Sequence, residues 1–100
     1  MKRARFVAAA RREFLVEVIY YNQEQPGLGA RFTAAVEDAT ARALAFPLAG
    51  SAATESTRKV FLKGFPFAVV YRPVEDGILV FALAHHARRP GYWESRVQDR

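Results

Sequence analysis

An α+β fold of the order β-α-α-β-β-β, a helical hairpin packed on a small, mainly antiparallel sheet, is predicted by three features of the sequence. Two stretches with helical periodicity come first, near 8–23 and 28–46, and only Gln25-Pro26-Gly27 separates them. Stretches rich in β-formers follow, two of them flanking Glu75-Asp76-Gly77. Helices first and strands after point to α+β rather than alternating α/β. A length of 100 residues leaves room for one core, so residues 1–100 are expected to form a single domain.

Arg3 to Val7 alternates charged and apolar residues weakly, as a short edge strand does. In the first helix Ala10, Phe14, Val18 and Tyr21 recur at three-to-four spacing, with Leu15 and Ile19 beside them. Pro26-Gly27 breaks that helix. Leu28, Phe32, Ala35, Val36, Ala39, Ala43 and Phe46 trace the stripe of the second, until Pro47 stops it. So short a linker makes the helices an antiparallel hairpin with facing stripes, and Leu15, Ile19, Phe32 and Val36 are expected in the core.

Residues 48–56 are small and polar and read as a loop. From Thr57 to Leu62 Arg58, Val60 and Leu62 take one face and Thr57, Lys59 and Phe61 the other, as in a strand. Phe67–Val74 and Ile78–His85 form a hairpin, because glycine tolerates the positive φ that an Asp-Gly turn demands. Ile78 to Ala84 is apolar on both faces and is expected to be a central strand, with helices on one side and an exposed face for a partner on the other.

A hydrophobic share of 51% with 25% charged residues excludes a disordered chain, and no apolar run approaches the ~20 residues of a membrane span. The start Met1-Lys2-Arg3-Ala4-Arg5 lacks the apolar core of a signal peptide, so a cytoplasmic location is expected. Without cysteine, and with only the adjacent pair His85-His86, no metal site is expected. The net charge of +5 favours an acidic partner. Acidic residues cluster early, at Glu13, Glu17, Glu24, Glu37 and Asp38, whereas Arg88, Arg89, Arg96 and Arg100 make the C-terminal end the candidate working surface.

Tyr20-Tyr21, Pro26-Gly27-Leu28-Gly29, Arg31-Phe32, Pro47, Arg58, Phe65-Pro66-Phe67, Tyr71-Arg72, Ala84-His85 and Arg88-Arg89-Pro90-Gly91-Tyr92-Trp93 occur in that order. Together they resemble the signature of the RelE/ParE superfamily of bacterial toxins, from about Ala8 to Arg96, and the ParE branch more than the RelE branch. The resemblance implies a toxin neutralised by an antitoxin, here a ParD-like protein whose helical, partly disordered arm would suit a basic toxin if acidic. ParE-like members poison DNA gyrase; RelE-like members cleave messenger RNA on the ribosome. Function is grafted onto such a fold at particular positions.

RNA cleavage through the 2′-hydroxyl needs a base, an acid and cations around the transition state. The candidates are His85 or His86 and Tyr92 for proton transfer, with Arg58, Arg72, Arg88 and Arg89 for charge. RelE-type ribonucleases carry a denser basic set across the central strands, and strand 78–84 offers no Lys or Arg here. That departure favours a gyrase-directed binding protein with a target-contacting patch of Arg88, Arg89, Tyr92, Trp93 and Arg96. A chain that keeps the fold and the antitoxin but has lost toxicity is the third reading. Each residue also has a purely structural role open to it. Arg58 and Arg72 could pair with helix carboxylates or pack along Phe61 or Tyr71. His85 could fix a turn through a backbone carbonyl. Trp93 could close the core. No phosphate-binding glycine loop occurs, since Gly27-Leu28-Gly29 enters a helix without a preceding buried strand, and no cofactor is expected.

Overall fold

The computed structural model describes residues 1–98, so Arg100 of the basic end lies outside the described residues. Strand β1 (Arg3–Phe6) leads into helices α1 (Ala8–Glu24) and α2 (Leu28–Ala45), then strands β2 (Ser51–Ala52), β3 (Arg58–Phe61), β4 (Phe67–Val74) and β5 (Gly77–His85), and a short helix α3 (Glu94–Gln98). The strand order is β1-β5-β4-β3-β2. Only β1 with β5 is parallel; the remaining pairs are antiparallel. The expected α+β architecture is present, with β1 on an edge and β5 in the interior.

α2 buries the stripe that its period foretells: Phe32, Val36, Ala39 and Ala43 lie in the core with Val69, Tyr71, Ile78 and Val80 of the sheet. Gly29 lets α1 and α2 approach closely, because a Cβ there would meet the Val18 carbonyl oxygen at 2.7 Å. Phe14, Tyr21, Phe65 and Phe67 gather round Phe32, with ring centroids 5.0–6.2 Å from it, within the range in which aromatic pairs add to area burial.

α1 differs from expectation. Its inward side is Ala10, Phe14, Val18 and Tyr21, but Leu15 and Ile19 are not core residues. With Val16 and Tyr20 they form an apolar stripe along the outer side of the helix, each at least 50% exposed. The reason is geometric: one side of α1 faces both α2 and the sheet, and a 100° turn per residue carries positions 15 and 19 away from it.

The β4–β5 hairpin closes through Glu75-Asp76, with Val74 paired to Gly77, one residue earlier than expected. Gly77 sits at φ 147°, and a Cβ there would collide with Arg3 of β1. Two short elements fall where the sequence reads as loop or tail: β2, and the segment ending in α3. β2 pairs Ser51 and Ala52 with Lys59 and Arg58 of β3. Nearby, the Arg58 guanidinium donates to the carbonyls of Leu48 and Gly50, both at 2.9 Å, and the Tyr71 hydroxyl donates to Pro47 O at 2.7 Å.

The far face of the sheet is not simply open. Residues 90–98 fold back over it, and the buried Trp93 packs on Val70 of β4 and Ala82 of β5. Among the described residues no helix is long and apolar enough to cross a membrane.

Candidate functional site

β1 accompanies β5 only from Gly77 to Val80. At that point β5 carries an extra residue: Val70 pairs with Ala82 and Tyr71 with Val80, so Phe81 is bulged out of the ladder. Backbone groups along the rest of β5 need other partners, since an unpaired polar group in such a place is costly. Glu13 of α1 and Arg96 of α3 supply them. The Leu83 N–H donates to Glu13 Oε1 at 3.1 Å, and Arg96 donates to Phe81 O at 2.9 Å.

The same two side chains pair directly. Arg96 donates to both Glu13 oxygens, at 3.0 and 3.1 Å, and the Tyr92 hydroxyl donates to Oε2 at 2.7 Å. Side-chain exposures of 21% for Arg96 and 17% for Glu13 make this a partly desolvated, two-pronged pair, stronger than an exposed one. Arg88 lies over the Tyr92 ring at 3.9 Å, a cation–π distance. Glu13 therefore clasps the C-terminal segment and, through Tyr92, sets where Arg88 lies.

Burial, and then donation to the Glu13 carboxylate, raise the Tyr92 pKa well above the ordinary phenol range. Burial likewise raises Tyr21 and Tyr71. A tyrosine whose folded pKa exceeds its unfolded value of about 10 contributes stability that is whole below that pH and lost as pH climbs through the folded pKa. In a spectrophotometric titration these three phenols are expected to ionise late and with alkaline unfolding. Tyr92→Phe should remove one phenol from that late step; reversible titration of every tyrosine near pH ~10 in the folded protein would contradict the arrangement.

Beside the clasp, the far face is hollowed into an open cleft of about 320 Å³. Its floor lies low because Ala68 of β4 pairs with Ala84 of β5, two small residues side by side. Lys59 and Phe61 of β3 form one wall and His86, Arg88 and Arg89 the other. Phe61 is 46% exposed, with the Lys59 ammonium 5.4 Å from its centroid and the His86 ring 5.6 Å away, edge to face. Among the described residues Lys59, Arg88 and Arg89 form no ion pair.

The structure divides the residues singled out in the sequence. His85, Arg88, Arg89 and Tyr92 border the cleft, Trp93 lies beneath it, and Arg96 is bound to Glu13. Arg58 is held by loop carbonyls rather than by a helix carboxylate, and the Arg72 guanidinium lies 5.2 Å from the Phe81 ring rather than on Phe61 or Tyr71. Both border a separate depression. His85 packs its ring on Phe67 at 4.9 Å, and its Nδ1 accepts from the Ala87 N–H at 2.9 Å. It fixes the turn, through an amide N–H rather than the carbonyl expected. His86 is the histidine whose ring meets Phe61.

A family model described as the ParE toxin of the type II toxin-antitoxin system parDE matches residues 5–90. The chain belongs to the ParE toxin family. The structure of a chromosomal ParDE toxin-antitoxin system from P. aeruginosa shares the fold at a TM-score of 0.71 and 15% identity, covering 85% of this chain and 96% of that one. No curated protein matches the sequence.

In this ParE toxin, sequence reasoning missed Glu13. A glutamate after Arg11-Arg12 reads as part of a solvated helix face, and its partners lie 70–83 residues away. One local signal existed: position 13 stands one turn after the buried Ala10, at the margin of the inward stripe. The alternation along β3 places Lys59 and Phe61 on one face, and that face carries the cleft.

Proposed function

We propose that this ParE-family chain is a cytoplasmic toxin that inhibits DNA gyrase by binding rather than by chemistry of its own, and that a ParD-like antitoxin neutralises it. The family match over residues 5–90 carries the reading. Arg88 and Arg89 are the target-contacting cations of this proposal, being exposed and without ion pairs among the described residues. Tyr92, Trp93 and Arg96 serve them by fixing the segment against the sheet.

The alternative, cutting of messenger RNA on the ribosome, needs a base, an acid and cations converging on one phosphate. The Tyr92 hydroxyl is held in a hydrogen bond to Glu13, His85 Nδ1 accepts from a backbone amide, and Arg58 and Arg72 border a different depression from Arg88. His85, Tyr92, Arg88 and Arg89 do line one cleft, but two of the four candidate arginines stand apart from it and both proton carriers are engaged, which supports the binding reading. The apolar stripe of α1 supports a protein partner, since contiguous exposed apolar surface on a small domain marks an interaction site.

The test is a supercoiling assay with purified gyrase and the free full-length chain, beside pulse-labelling after induction in a bacterial host. Supercoiling should be inhibited or cleaved DNA trapped, and DNA synthesis should fall before protein synthesis. Arg88→Ala with Arg89→Ala should relieve both effects. Full gyrase activity at micromolar toxin, with protein synthesis falling first, would move the assignment to the interferase.

A further inference from the structure

The cleft has a composition that the gyrase reading does not require. One wall offers an exposed aromatic face, Phe61, with His86 edge-on to it; cations stand on both sides, Lys59 next to Phe61 and Arg88 and Arg89 opposite. The floor between them is small and apolar, because Ala68 and Ala84 pair across β4 and β5. A π-face set among unpaired cations is how proteins hold a nucleic-acid strand without reading its sequence: a base stacks, and flanking phosphates meet the cations.

From these juxtapositions we infer that the cleft binds a single strand of nucleic acid, a base stacking on Phe61 and the backbone running between Lys59 and the Arg88-Arg89 pair. Stacking selects the single strand, because a base paired and stacked within a duplex has no free face to lay on Phe61. Glu94 is the acidic residue bordering the cleft, and it lies on the rim beside Gly91. The clasp has a part here as well: with its ring under Arg88 and its hydroxyl on Glu13, Tyr92 directs that guanidinium. The site shares Arg88 and Arg89 with the target-contacting patch proposed above, but it does not depend on gyrase being the target.

The experiment is fluorescence anisotropy of the full-length chain with labelled oligothymidylate and oligouridylate of about twelve nucleotides, within the span of known single-strand sites. Three released cations predict that binding weakens about 20-fold between about 50 and 200 mM salt. In the Arg88→Ala, Arg89→Ala double variant that salt dependence should fall to about a third in log–log slope. Phe61→Ala should weaken binding about tenfold and leave the salt dependence unchanged. Arg31→Ala, an exposed cation on α2, should leave affinity as it was, and thermal melting establishes that each variant is folded. Binding of both oligomers supports a backbone-and-base site; binding of one alone also supports the site and identifies the sugar it takes. Absent binding, equal loss in Arg31→Ala, or equal affinity for a duplex of the same length overturns the inference. Oligonucleotide binding with gyrase unaffected would leave this inference standing and remove the gyrase reading; gyrase inhibition without oligonucleotide binding would do the reverse.

Discussion

Glu13→Ala is expected to destabilise the protein by about 3 kcal/mol, because three groups lose their acceptor together and an arginine is left facing the sheet without its counter-ion. Those groups are the Leu83 N–H, the Tyr92 hydroxyl and the Arg96 guanidinium. The figure sits at the low end of that for breaking a fully buried pair, since side-chain exposures of 17% and 21% admit some water. For a domain of this size the melting temperature should fall by roughly 15 °C. Glu13→Gln keeps an acceptor for Leu83 and should cost about half as much. A double-mutant cycle with Arg96→Met should return a coupling of about 2 kcal/mol. A fall below about 3 °C for Glu13→Ala would mean that water replaces the carboxylate at little cost and that no clasp exists.

The same variant separates stability from placement. At a temperature where Glu13→Gln remains folded, loosening of residues 88–98 should appear as faster amide exchange in that segment, with α2 and β4 still protected. Arg88 would lose its seat on Tyr92, and toxicity should decline by more than the loss of folded protein explains.

How far the sequence reveals this molecule depends on the range over which each signal acts. α2 was legible because its stripe, its start after Pro26-Gly27 and its stop at Pro47 are all local. The β4–β5 hairpin was legible because Glu75-Asp76-Gly77 marks a turn between two runs of β-formers, although the turn itself is Glu75-Asp76 and Gly77 already pairs with Val74. β2, with two residues, and α3, with five, are too short to carry a period. The clasp was illegible for another reason: Glu13, Leu83, Tyr92 and Arg96 are united only by the fold, and each has an ordinary local explanation. Leu15 and Ile19 were misplaced because α1 is apolar on two sides, and periodicity alone does not rank one side above the other. Resemblance singles out His85; both histidines line the cleft, and the alternation of β5 with the turn after it brings the His86 ring to Phe61.

The outer stripe of α1 carries the second large expectation. Leu15→Glu with Ile19→Glu changes residues that are more than half exposed, so each should alter stability by no more than about 0.5 kcal/mol. Under the proposed function that stripe is covered by the apolar face of the antitoxin's helical arm. Loss of two central apolar contacts, at about 1.5 kcal/mol each or more, then predicts at least about a 100-fold weaker complex. New negative charge would also repel an acidic arm. The double variant should therefore remain toxic, and become lethal even when the antitoxin is supplied beside it. Arg88→Ala with Arg89→Ala should behave in the opposite way, losing toxicity while binding antitoxin as tightly as before. Calorimetric titration of each variant with the antitoxin, beside growth with and without it, reads both halves. If Leu15→Glu with Ile19→Glu binds antitoxin with unchanged affinity, the stripe is not the antitoxin's seat. If instead both variants lose toxicity together, one continuous surface serves target and antitoxin alike, and neutralisation acts by occlusion.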